Sequence, residues 1–155
     1  MLPFRRILVT TDFSDTSLQA LPVAVEIASH FDAELLLLHI LPLDAPTPWD
    51  IPPYADFGLA SLPLPEYEAQ VRHEVERRLD LVAAKHAKGV KVRPILGRGD
   101  AASEIVRLAA DEHADLIVLA THGWTGWRHL VFGSVAERVL REAPCPVLSV
   151  RSPAR

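Results

Sequence analysis

Between residues 116 and 137 the chain places Gly123, Gly126 and Gly133 along a loop that ends on Ser134 and Glu137. Ser134 and Glu137 have the spacing of a capping box. The hydroxyl accepts from the Glu137 amide, and the carboxylate reaches back to the Ser134 amide. A helix start exposes unpaired amides and the positive end of the macrodipole, so it is a seat for an anion such as phosphate. Glycine at 123 and 133 lets the backbone approach a ligand where a Cβ would stand in the way. His122 and His129 flank the glycines and add groups that suit phosphate or a metal. A plain reading stands beside this one, because strand, loop and capped helix make up any α/β unit. On that reading His122 is only a polar loop residue.

Other chemistry finds less support, and a Ser–His–acid triad stays open without a motif to mark it. Gly97-Arg98-Gly99-Asp100-Ala101-Ala102 fits the glycine pattern of a dinucleotide fold. Asp100 would put a carboxylate where the pyrophosphate should sit, and no acid ends the next strand to hold a ribose. A tight turn with Asp100 as N-cap accounts for every residue there. There is no Walker A lysine motif and no Gly-x-Ser-x-Gly elbow. The seven histidines and single cysteine have no zinc spacing. Cys145 precedes an apolar run and reads as a small buried residue with no base nearby in sequence to activate it. Trp124 and Trp127 fit a cover over the loop, a contact with the proline-rich segment, or a subunit contact.

The loop needs a strand before it and a helix after it. Residues 115–120 are a continuous apolar run, the pattern of a strand buried on both faces. Similar runs cover 5–10, 33–40 and 146–150, and 90–96 alternates apolar with basic residues. Pro94 lacks a ladder donor, which places that strand at a sheet edge. Ser14 caps a helix over 14–31 with Leu18, Leu21, Val25 and Ala28 on one face, and Pro22 predicts a kink in it. Residues 66–86 form the clearest helix, with Glu68/Arg72 and Glu74/Arg78 as i,i+4 pairs on a solvated face. Residues 100–113 form another, with Ile105, Leu108 and Ala109 inward. Val135, Val139 and Leu140 are the apolar positions of the last.

Alternation of strand and helix predicts an α/β fold with a parallel sheet and helices on both faces, joined by right-handed crossovers. Ligands in such folds sit beyond the carboxyl ends of the strands, at the point where strand order reverses. That rule points to residues 10–14, to His39 and Ile40, and to the loop after the fourth strand.

One segment fits none of this. Residues 42–65 hold seven of the thirteen prolines, three aspartates and no Lys or Arg. A stretch this long without periodicity is functional or disordered. Trp49, Tyr54 and Phe57 give it something to pack with, so a lid, an interface and disorder all remain open.

The length of 155 residues, with 49% hydrophobic and 23% charged, suits one globular domain spanning 1–155. A net charge of −4 gives no push toward nucleic acid or an anionic membrane. One cysteine makes no internal disulfide, and no signal peptide or membrane-length apolar run is present. The expectation is a cytoplasmic protein with neither nucleic acid nor membrane as partner.

Along nearly its whole length the chain resembles the universal stress proteins. The matching blocks are residues 7–14, 37–40, 99–101 and, most specifically, 120–123 through 133–140 to 143–147. In the nucleotide-binding branch of that family the signature is Gly, two residues, Gly, nine residues, then Gly-Ser or Gly-Thr. Gly123, Gly133 and Ser134 fit it, and Ala120 stands at the first glycine.

The resemblance implies a Rossmann-like three-layer sandwich of five parallel strands in the order 3-2-1-4-5. It implies an ATP or AMP site, with or without Mg2+, formed by Thr10, Thr11, Asp12, Ile40, Ala120, Thr121, His122, Gly123, Gly133, Ser134 and Val135. Asp12 and Ile40 would meet ribose and adenine, and Gly123, Gly133, Ser134 and Val135 the phosphates. It also implies a homodimer through the fifth strand. If the first glycine serves a positive φ, alanine there costs about 1 kcal/mol or more. If it serves only close approach, a methyl group shifts the phosphates without abolishing binding. The leading expectation is thus a non-enzymatic, nucleotide-binding stress-response protein. The alternatives are a nucleotide-free dimeric interaction module and a slow ATP hydrolase, for which no general base is evident.

Overall fold

The computed structural model describes residues 2–42, 64–121 and 134–151. In chain order the elements are β1 (Arg6–Thr10), α1 (Asp15–Leu18), α2 (Ala20–Phe31), β2 (Glu34–Leu41), α3 (Leu64–His86), β3 (Val92–Arg98), α4 (Ala101–Asp111), β4 (Leu116–Thr121), α5 (Ser134–Glu142) and β5 (Val147–Arg151). The strands form one parallel sheet in the order β3-β2-β1-β4-β5.

The unalternating strands are explained by the two cores that the sheet separates. Successive strand residues point to opposite faces. Ile7, Val9, Leu35, Leu37 and Val118 pack with Leu21 and Ala24 of α2 and Val75 and Leu79 of α3. Leu8, Leu36, Leu38, Ile117 and Leu119 pack on the other face with Ile105 of α4 and Val139 of α5. Both faces of the central strands are covered, so their middle residues are apolar at either parity.

Several local expectations are corrected. The helix over 14–31 is not one rod kinked at Pro22. It breaks at Gln19, whose amide turns back to the Thr16 carbonyl at 3.2 Å. Pro22 then falls in the first turn of α2, where its missing N–H forfeits no helical bond. Ser14 caps α1 as expected, accepting from the Ser17 amide at 3.1 Å. Strand β3 lies two residues later than the spacing suggested. Gly97 and Arg98 continue the ladder because β2 runs on to Leu41 and offers them partners. Pro94 does lie on an edge strand. Helix α3 begins at Leu64, so Pro65 falls in its first turn, where proline is tolerated.

The expected pairs along α3 are also re-partnered. Glu68 takes Arg98 of β3 at 3.0 Å, and Glu74 takes Arg77 at 2.8 Å. Arg78 instead lies over the Phe13 ring, 5.1 Å from its centre. On α5, Ala136 and Val139 are buried while Val135 and Leu140 are exposed. Among the described residues no helix is long and apolar enough to cross a membrane.

Candidate functional site

Because all five strands are parallel, their carboxyl ends share one edge of the sheet. The chain leaves β1 and β4, neighbours in the sheet, at the point where strand order reverses. A cavity of about 370 Å³ opens there, within the usual range for a small-molecule site. Its walls are Thr10, Thr11 and Asp12 after β1, Leu38 to Ile40 of β2, Leu119 to Thr121 of β4, Ala101 and Ile105 of α4, and Ser134 to Ala136 of α5.

Of the residues expected at a nucleotide site, Thr10, Thr11, Asp12, Ile40, Ala120, Thr121, Ser134 and Val135 all line this one cavity. His122, Gly123 and Gly133 lie outside the described residues, as do Trp124, Trp127 and most of the segment 42–65. His39, to which the switch-point rule pointed, is also a wall residue, while Ser17 and Ile105 are wall residues that the sequence reading did not supply. The inward face of α4 and the switch-point rule could have indicated Ile105. Ser17 carries no motif of its own.

The turn after β1 is held by hydroxyl groups. The buried Thr11 hydroxyl accepts from the Phe13 amide at 3.0 Å and meets the Ser17 hydroxyl at 3.0 Å. Ser17 donates to the Ser14 carbonyl at 2.9 Å, so the Thr11 hydroxyl supplies the proton in their contact. The Asp12 carboxylate accepts from the Ser14 amide at 2.9 Å. Partial burial alone would raise the Asp12 carboxyl, but bonds from Ser14 and Ser17 outweigh it and hold the group below the ordinary carboxylate range. Asp12 is therefore a fixed, ionised acceptor facing the cavity at neutral pH.

Phe13 makes that turn at φ 65, a conformation that costs a residue with a bulky side chain roughly 1 kcal/mol or more. Its ring has two close neighbours. His39 lies 4.5 Å away between ring centres, and the Arg78 guanidinium lies over the ring, 5.1 Å from its centre. His39 Nδ1 is 2.8 Å from the Thr11 carbonyl, which can only accept, so Nδ1 carries the proton. Burial lowers the pKa of His39 and the charge of Arg78 adds to this, against the Thr11 bond and Asp12. The ring is neutral at pH 7 and presents Nε2 as an acceptor.

The two helix starts at the cavity differ. At α4 the Asp100 carboxylate accepts from the Ser103 amide at 3.1 Å and pairs with Arg138 of α5 at 2.7 Å. That start is filled by the chain's own anion, which is the physical reason the Gly97–Ala102 pattern is no dinucleotide site. The same pair ties α5 to α4. Asp12 is the one charged side chain among the described wall residues. Among the described wall residues, what faces an anion near Ser134 is therefore the start of α5 with its helix dipole, and no lysine or arginine.

Ala120 belongs to β4 and pairs with Val150 in extended conformation. It is not among the residues with positive φ. Its parity matches Val118, so its methyl packs toward the α2 face. Of the two costs weighed for alanine here, the backbone penalty does not arise. Cys145 is half-buried, and burial with the nearby Asp115 pushes its thiol up, away from reactivity. Among the described residues no group of three potential metal ligands occurs.

The parallel 3-2-1-4-5 sheet with this cavity at its switch point is matched by known proteins. The family model for the Universal stress protein family covers residues 3–151. Universal stress protein MJ0531 of Methanocaldococcus jannaschii is 36% identical over 150 residues, spanning 97% of this chain and 84% of that protein. The chain belongs to the universal stress protein family. The solved structure of MJ0577 superposes with a TM-score of 0.73 at 27% identity, covering 98% of this chain and 99% of that one. A universal stress protein in complex with cAMP shares the fold at a TM-score of 0.64 and 24% identity, covering 96% and 97%.

Proposed function

We propose that this chain binds an adenine nucleotide, ATP or AMP, in the switch-point cavity as a non-catalytic stress-response protein. The observation that carries the proposal is that Asp12, Ile40 and Ser134, from three distant parts of the chain, line one cavity. The base lies at the Ile40 end, the ribose hydroxyls meet the ionised Asp12 carboxylate, and the phosphates lie at the start of α5 near Ser134, Gly133 and Gly123. The reading draws further support from the fold shared with the cAMP-bound universal stress protein. Titration calorimetry with AMP and ATP, each with and without Mg2+, is expected to give micromolar affinity. No heat and no thermal shift at millimolar nucleotide would reject it and leave the nucleotide-free interaction module. Release of phosphate from ATP during the titration would favour the slow hydrolase.

The chain is also proposed to form a homodimer through β5, as one 1–155 domain per subunit. Among the described residues β5 is ladder-paired only to β4, and Val147, Leu148 and Val150 are half-buried at that edge. An apolar edge with unpaired backbone groups tends to acquire a partner. Val147→Lys and Val150→Lys probe its two faces. Sedimentation should show a dimer in the wild type and a monomer in at least one variant. A monomeric wild type, or two intact variant dimers, would sink the assignment.

A further inference from the structure

Gly97 faces Ile40 across the β2–β3 ladder, as its register partner. A Cβ built on Gly97 would stand 2.5 Å from Ile40 Cδ1 and 3.0 Å from Leu108 Cδ1. Gly97 is not among the glycines with positive φ, so its backbone suits any residue. The missing side chain at this position therefore serves space and not conformation. Both atoms it would meet are the free ends of flexible side chains, which yield without moving the backbone.

The direction in which Ile40 would yield follows from the sheet. β3 is the edge beyond β2, and β1 and β4 lie on the other side. Ile40 is a wall residue of the cavity, and Leu108 and Ile40 share one core face. Leu108 Cδ1 lies 3.0 Å from the same added Cβ, on the α4 side of it. A methyl group on Gly97 would push Ile40 Cδ1 toward β1, into the cavity.

We infer that Gly97 is a specificity-determining residue: by leaving room for Ile40, it sets the width of the base end of the cavity and admits a purine. The inference rests on the proposed nucleotide reading, and in particular on the base lying at Ile40. Gly99 is a different case. Its φ is 148, and an added Cβ would stand 2.8 Å from Glu104 Cγ, so alanine there strains the backbone as well.

The test compares AMP with CMP by ligand-observed NMR, which reads affinities into the millimolar range, on wild type, Gly97→Ala, Ile40→Val and the double variant. Ile40→Val removes Cδ1, the atom the new methyl would strike. Gly97→Ala is expected to melt at the wild-type temperature, to lose about tenfold in AMP affinity, and to change less than about twofold toward CMP. The double variant should recover most of the loss relative to Ile40→Val, a coupling expected of groups in contact. Equal AMP affinity in wild type and Gly97→Ala would overturn the inference while leaving nucleotide binding intact. A loss of the same size for AMP and CMP, or one the double variant does not recover, would also overturn it. A wild type that binds neither nucleotide overturns the nucleotide reading itself.

Discussion

Leu36→Ala and Leu37→Ala are each expected to destabilise the protein by about 3 kcal/mol, the usual cost of a large cavity in a packed core. In a chain of this size that lowers the melting temperature by roughly 6–12 °C. Both side chains are fully buried, although they are adjacent in β2 and point to opposite faces. Leu36 lies with Leu8 and Ile105 on the α4–α5 side, and Leu37 with Val9 and Leu79 on the α2–α3 side. The comparison tests the three-layer arrangement and not merely the presence of a core. A sheet with one wet face would make one substitution nearly silent. Urea unfolding of both variants reads the outcome, and a gap between them of more than about 2 kcal/mol would contradict two dry cores.

The same pair of leucines explains why the sheet was legible in the sequence. A strand buried on both faces must be apolar at every position, and residues 35–38 and 116–119 are. Pro94 announced its edge because a missing donor is tolerated there. What the periodicity misplaced has a tertiary cause in each case. Gly97 and Arg98 read as a turn because glycine is a turn residue, yet the neighbouring strand supplies ladder partners that hold them extended. Pro22 read as a kink because its position within the helix depends on where the preceding turn breaks. Glu68 was paired along its helix, but β3 brings Arg98 within 3.0 Å, a contact between residues thirty apart. The site divides in the same way. The turn at 10–14 was indicated by the switch-point rule, and Asp12 within it by the family resemblance. The contacts of Phe13 with His39 and Arg78 join the turn after β1 to β2 and α3, and no spacing along one element encodes them.

Asp12→Asn should lower nucleotide affinity by roughly ten- to a hundredfold, the weight of a hydrogen bond to a charged acceptor. The amide oxygen still accepts from the Ser14 amide, so the turn keeps its shape and stability changes little. Thr11→Val should do the reverse in emphasis. Valine fills the same buried space but leaves the Phe13 amide without its acceptor and the Ser17 hydroxyl without its donor. An unpaired buried group of that kind costs roughly 1–3 kcal/mol of stability. Affinity should also fall, since the hydroxyl contacts that hold the Phe13 turn also fix where Asp12 stands. The two variants thus separate a residue that touches the ligand from one that positions it. Urea midpoints and AMP titrations on both give the four numbers required. If Asp12→Asn binds AMP as tightly as wild type, the ribose is held by something other than this carboxylate. If Thr11→Val loses stability but keeps full affinity, the nucleotide itself restores the turn, and the hydroxyl cluster belongs to folding alone.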